Sequence, residues 1–299
     1  MTALYALSRG DAPLLINLPH VGTWVPPELR AHLLPEAQCV PDTDWHVDRL
    51  YDFARSLGVT LMAATHSRYV IDLNRDPQGG TLYPGASNTE LCPTSRFDGG
   101  PVWADSAAQA PVLSVALRRE RYFTPYHARL DAELQRLHAQ HGYAILLDGH
   151  SIISRCGRFF DGQLPDLNLG TADGASCAPD LQAQASAVLQ DAAGFSAVTN
   201  GRFKGGWITR HYGRPAQGYH ALQLEMALSA YMTEAPPYHF EPERAAALTA
   251  VLRQLVERLL ACRPRREISR ENCRTAAADR RRSCAATASP LADHRASCR

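Results

Sequence analysis

The chain has 299 residues, 45% of them hydrophobic and 20% charged, with a formal net charge of +1. A mainly disordered chain needs few apolar residues and a strong charge bias, so that class is excluded. A protein that grips nucleic acid needs a concentrated surplus of Lys and Arg, and the balanced total does not supply one. The balance is uneven along the chain. From Arg263 to Arg299 ten arginines face four acids, a net charge of +6 that leaves −5 for the body.

The apolar periodicity stops beyond Leu260, so residues 1–262 are expected to form a single domain and 263–299 an Arg-rich, disordered tail. The eight cysteines include no CxxC pair, which removes the usual support for a zinc ribbon. The start, MTALYALSRGDAP, lacks a basic region followed by a long apolar run. No stretch approaches the ~20 apolar residues of a membrane-spanning helix. These features predict a soluble cytoplasmic protein with reduced thiols.

In chain order, short apolar runs bounded by polar or Gly-rich turns predict strands at Pro13–Leu18, Val59–Ala64, Tyr69–Leu73, Tyr143–Leu147 and Ala221–Met226. Helical periodicity appears between them. Trp45–Leu57 carries apolar residues at helical intervals, opens on the capping group Asp42-Thr43-Asp44 and stops at Gly58. Ala110–Gln140, broken near Pro125, Asp180–Ala193 and Glu241–Ala261 complete the predicted helices. Strands alternating with helices argue an α/β fold with helices on both faces of the sheet, with ligands at the carboxyl edge of the strands. Asp76–Val102, rich in Gly, Pro, Ser and Asn, is too long for an ordinary connection and is expected to be functional or mobile.

The chemistry follows from the polar residues that succeed the strands. PLLINL runs into Pro19-His20-Val21-Gly22, and YAILL runs into Asp148-Gly149-His150-Ser151, so two histidines are expected just past two strand ends. Imidazole is the commonest metal ligand, and hydrolytic zinc sites use three N or O protein ligands. Asp148 is placed to accept the second ring N–H of His150. Asp42, Asp44 and Asp48 crowd the start of the helix predicted at Trp45. Three acids exceed what capping needs, so one of them is a candidate third ligand.

Glu225 lies in ALQLEMAL, an otherwise apolar run. Burial raises a carboxyl pKa toward the range useful for a general base. Arg68, Arg75, Arg202 and Arg210 are candidate carboxylate binders, and Arg75 with Asn74 directly follows a predicted strand. Gly205-Gly206 and Gly213 read as flexible points of a lid. No GxGxxG, GxxxxGK[ST] or GxSxG pattern is present, so nucleotide binding and a serine hydrolase elbow lack their usual signatures.

Between about Leu14 and Met232 the chain resembles the N-formylglutamate amidohydrolase (deformylase) family. The resemblance rests on INLPHVGTWVP, DTDWHVDRLYDFARSLGV, SRYVIDLNRDP, LLDGHSI, FKGGWITRHYG and LQLEMALSAYM in this order. More distantly, the order of His20, an acid, Asn74-Arg75, His150 and Glu225 is similar to that of zinc carboxypeptidase-like enzymes. The resemblance implies a phosphorylase/hydrolase-like three-layer α/β/α fold with a mixed, mostly parallel sheet. It also implies one divalent metal ion, zinc by preference, on His20, an acid and His150, with Asp44 preferred as the acid and Asp48 open.

In the same reading Glu225 is the base that activates water. Asn74 and Arg75 hold a substrate carboxylate, and Arg68 or Arg210 holds a second carboxylate or the developing oxyanion. The implied reaction is hydrolysis of N-formyl-L-glutamate to formate and L-glutamate, a step of histidine degradation. Hydrolysis of another N-acyl amino acid or short peptide, and non-catalytic binding of an acidic amino acid, are the competing expectations. The implied partner is a small-molecule dicarboxylate, with no nucleic acid and no membrane. The Arg-rich tail has no counterpart in the family pattern.

Overall fold

The computed structural model describes residues 2–264 apart from 82–84, 86, 105–111 and 113. Seven strands form one sheet: β1 (Tyr5–Ser8), β2 (Leu14–Leu18), β3 (Thr60–Ala64), β4 (Ala144–Ile152), β5 (Leu167–Gly170), β6 (Ala197–Thr199) and β7 (Tyr219–Ala227). Their spatial order is β1-β3-β2-β4-β7-β5-β6. β2 pairs in parallel with β3 and β4, β4 with β7, and β5 with β6; β1 on β3 and β5 on β7 are antiparallel.

The helices are α1 (Pro27–Arg30), α2 (Val47–Leu50), α3 (Val115–Arg118), α4 (Thr124–His141), α5 (Pro179–Gln190), α6 (Trp207–Tyr212) and α7 (Pro242–Ala261). Strand alternation divides the core between them. Leu15, Leu146 and Ala221 pack with Leu130, Leu134 and Leu137 of α4. Leu14, Ile16, Ile145, Leu147, Leu222 and Leu224 pack with Leu181 and Leu189 of α5 and Leu248, Leu252 and Leu255 of α7. The result is the three-layer α/β/α arrangement with a mixed, mostly parallel sheet. Each fully buried Leu in it contributes roughly 1.5–3 kcal/mol.

The central strands run where the apolar patterns put them, but two extend further. β4 continues through Asp148, Gly149, His150 and Ser151, and every residue of it is buried. His150 therefore lies inside the strand rather than past its end. A strand that lines a polar site need not be apolar on that face. Tyr69–Leu73, predicted as a strand, forms turns and coil, with Asp72 N–H donating to Leu91 O at 2.7 Å. Trp45–Leu57 is not one helix but the short α2 followed by a 3-10 segment, Asp52–Leu57. The helix expected over Ala110–Gln140 passes from α3 through a π turn, Arg119–Phe123, into α4, whose Pro125 sits in its first turn, where a missing N–H does no harm. Residues 110, 111 and 113 of that stretch, 82–84 and 86 of the predicted long loop, and 265–299 of the tail lie outside the described residues.

Candidate metal centre and active site

Along the α4 side of the sheet the apolar stripe gives way to polar residues at the carboxyl ends of β2, β4 and β7. Leu15 is followed on its face by Asn17, Leu146 by Asp148 and His150, and Ala221 by Gln223 and Glu225. The register places Asn17 beside Asp148, Asp148 beside Gln223, and His150 beside Glu225. His20 follows β2 by two residues, and its carbonyl accepts the Asp44 N–H at 3.0 Å. This backbone bond brings the loop before α2 over the strand ends.

His20, Asp44 and His150 converge there, all three buried, with ligand atoms within 4.8 Å of one another. Asp44 Oδ2 lies 3.1 Å from His150 Nδ1 and 3.8 Å from His20 Nδ1. The opposite ring nitrogens face two further buried aspartates. His20 Nε2 is 2.8 Å from Asp72 Oδ1, and His150 Nε2 is 2.8 Å from Asp148 Oδ2. A carboxylate accepts the Nε2 proton and leaves Nδ1 as a lone-pair donor, so both rings present Nδ1 to one point. Asp148 is the acceptor expected for His150. Asp72 lies in Tyr69–Leu73, whose composition predicts a strand and gives no sign of this partner.

Asp44 Oδ1 is buried without a hydrogen-bond partner, and Arg68 Nη1 stands 3.6 Å from it. A buried carboxylate oxygen left in this way is costly unless a cation reaches it. Two imidazole lone pairs and one carboxylate form a donor set that suits zinc. The residues present therefore fit a single divalent ion. Asp48 is exposed on α2 and stands apart from this cluster. Asp42 is also turned away, accepting the Tyr69 hydroxyl at 2.8 Å and the Phe97 N–H at 3.0 Å.

The electrostatics of the two histidines differ. Burial lowers the His20 pKa, and Arg68 beside it adds to the effect, against Asp72 and Asp44. Burial also opposes charge on His150, but Asp148 and Asp44 outweigh it and hold its pKa well above the ordinary value. For Asp72, burial is overcome by Arg75, His20 and Arg68, which keep the carboxyl well below the usual range. Glu225 goes the other way. Burial raises its pKa to about 8, with His150 and Arg68 opposing and Asp44 and Asp148 reinforcing.

A pocket opens over this cluster, lined by His20, Asp44, His150 and Glu225 together with Arg68, Arg75 and Arg202. Phe97, Phe159 and Phe203 supply apolar surface on its wall. Arg68 donates to Asp72 Oδ2 at 2.8 Å and lies over the Phe97 ring at 4.7 Å. Arg75 is fixed by Thr89, to whose carbonyl and hydroxyl it donates at 3.1 and 2.8 Å.

Two expected binding residues are placed differently. Asn74 lines the pocket, but its amide is engaged in the scaffold: Oδ1 accepts the Ile208 N–H at 2.8 Å, and Nδ2 donates to Asp148 Oδ2 at 3.3 Å. Arg210 is exposed on α6, donates to Gly205 O at 3.2 Å, and is not among the pocket's lining residues. The α6 turn carries it outward, and Arg202, upstream in the same segment, lines the pocket instead. Gly205 and Gly206 are close-packing points rather than hinges. A Cβ on Gly206 would stand 2.4 Å from the Asn74 amide, and one on Gly205 would stand 2.8 Å from Thr209 Cγ2.

Comparison with known proteins gives the family and the fold. Residues 12–232 match the family model described as N-formylglutamate amidohydrolase. The chain belongs to the N-formylglutamate amidohydrolase family. It is 49% identical over 265 residues to the N-formylglutamate deformylase of Pseudomonas aeruginosa, covering 87% of this chain and 97% of that one. The N-formylglutamate deformylase of Pseudomonas putida is 47% identical with the same coverage. Among solved structures, the N-formylglutamate amidohydrolase from Ralstonia eutropha JMP134 superposes with a TM-score of 0.71 at 29% identity, covering 87% of this chain and 96% of that one. A gene product of Agrobacterium tumefaciens shares the fold, with a TM-score of 0.65 at 14% identity over 87% of this chain and 96% of the other.

Proposed function

We propose that the protein hydrolyses N-formyl-L-glutamate to formate and L-glutamate, with one divalent cation, zinc by preference, held by His20, Asp44 and His150. The observation that carries this reading is the convergence of those three ligands with Glu225 and three arginines in a single pocket. When bound, the cation supplies Lewis acidity, polarising the formyl oxygen and acidifying water.

The residues of the chain do the rest. Glu225, a buried carboxyl beside His150 on the pocket wall, is placed to accept a proton from the attacking water and return it to the leaving amine. Asp72 and Asp148 keep the ring protons of the two imidazoles on Nε2 and so leave the Nδ1 lone pairs for the cation. Arg68, buried beside Asp44, adds positive potential where oxyanion charge develops. Arg75 and Arg202 are the groups for the two substrate carboxylates, and Asn74 braces His150 and α6 from beneath. The net −5 of the body makes these local cations necessary, because the wider field repels a dianion.

The reaction fits a cytoplasmic step of histidine degradation, and residues 1–262 suffice for it. No helix among the described residues is long and apolar enough to cross a membrane. The test is formate release from N-formyl-L-glutamate with and without chelator, on the full chain and on a chain ending at residue 262. Activity indifferent to metal removal would overturn the mechanism. Activity lost with the tail would overturn the domain assignment.

A further inference from the structure

Gln223 precedes Glu225 by two residues on β7, so both side chains leave the same face of the strand. Gln223 is buried, and its Oε1 accepts the Gly206 N–H at 2.7 Å. A backbone N–H can only donate, so this contact fixes which end of the amide is oxygen. The other end, Nε2, is thereby turned to Glu225 Oε2 at 3.3 Å. Among the described residues this is the only hydrogen bond that the Glu225 carboxylate accepts. Gly206 is itself held, since the Asn74 amide occupies the space that a Cβ would need and Asn74 Oδ1 accepts the following helix's Ile208 N–H.

We infer that Gln223 is a positioning residue for Glu225, joining the general base to the segment that opens α6. The terminal torsion of a glutamate is broad and roughly two-fold, so an untethered carboxylate at this position samples many orientations. The bond from Nε2 ties Oε2 and makes it the less basic oxygen, leaving Oε1 to exchange the proton. Pre-orienting the base acts on the chemical step and leaves substrate affinity nearly unchanged. The inference rests on Glu225 acting as the base.

The experiment is a double-mutant cycle. Gln223→Met removes both polar ends at similar volume, and Gln223→Glu keeps an acceptor for Gly206 while replacing the donor by a second carboxylate. Each is made in the full-length, metal-loaded protein and again in a Glu225→Gln background, with thermal melts to establish folding. The expected result is a kcat about tenfold to a hundredfold lower for each single variant, the loss of one hydrogen bond to a charged group, with KM within about threefold of the parent.

In the Glu225→Gln background neither substitution should lower kcat further, because there is no base left to position. A full, multiplicative loss there overturns the inference, as does a change confined to KM or to melting temperature. A parent protein that turns over a different N-acyl amino acid overturns the choice of substrate, and the cycle is then read on that amide. A parent inactive on every amide overturns both readings.

Discussion

His20 and His150 stand with ring centroids 4.9 Å apart, and each turns its Nε2 onto a buried aspartate at 2.8 Å. The two pairs are built differently. Asp148 is anchored by Asn17, whose Nδ2 donates to its Oδ1 at 2.7 Å, and Asn17 in turn accepts the Tyr126 hydroxyl at 2.6 Å. Asp72 is anchored by Arg68 and by the Asn74 N–H. Asp72→Asn and Asp148→Asn should each weaken metal binding about tenfold to a hundredfold. Competition against a chromogenic chelator measures this, and wild-type affinity in both variants would refute the role of the paired carboxylates.

Glu225→Gln keeps the shape of the residue while removing its ability to accept a proton. It should lower kcat by roughly a hundredfold to ten-thousandfold and leave bound metal at one equivalent. Formate release and metal analysis on the same preparation separate these effects. A variant that loses its metal along with its activity would instead assign Glu225 a part in holding the ion.

The three arginines of the pocket should divide from the fourth on the helix. Removing Arg202 deletes a cation from the pocket wall, so Arg202→Ala should raise KM about tenfold or more, as expected for losing a charged hydrogen bond to a carboxylate. Arg210→Ala, on the exposed side of α6, should leave KM within about twofold, the usual insensitivity of surface positions. Steady-state kinetics on the two variants checks the assignment, and the reverse ranking would return Arg210 to the binding site.

Much of this site can be read from the chain before folding, because His20, His150 and Glu225 each interrupt or end an apolar run of the right length for a buried strand. Asp44 was one acid among three there, and only the bond from its N–H to the His20 carbonyl brings it rather than Asp48 to the centre. The sequence around Asp72 misleads for a physical reason. YVIDL has the composition of a strand, yet its backbone bonds go to the loop at Leu91 and its acid is ion-paired with Arg68. β1, β5 and β6 have no more than four residues each and take their stability from pairing with longer neighbours, so local pattern carries little of their signal. The direction of Arg202 and Arg210 depends on where α6 starts, which the packing of Gly206 against Asn74 decides.

Acid stability should depend on His127, which lies beneath the site on α4. Its Nε2 is 2.9 Å from Leu73 O and its Nδ1 is 3.0 Å from the Tyr212 hydroxyl, so a neutral ring donating from Nε2 satisfies both partners. Burial lowers its pKa from 6.5 to about 3, with the bond to Leu73 opposing and His211 reinforcing. The unfolded chain therefore binds a proton that the folded chain refuses. The stabilisation is complete above pH 6.5 and is lost progressively as pH falls toward 3. Between pH 6.5 and 5 the loss from this residue is roughly 2 kcal/mol. His220, whose burial lowers its pKa to about 4, adds a smaller loss in an overlapping window. Urea denaturation of the wild type and of His127→Gln across that range tests the assignment. The variant should start less stable at pH 7 and show a shallower decline on acidification, whereas parallel curves would mean that His127 titrates alike in the folded and unfolded chains.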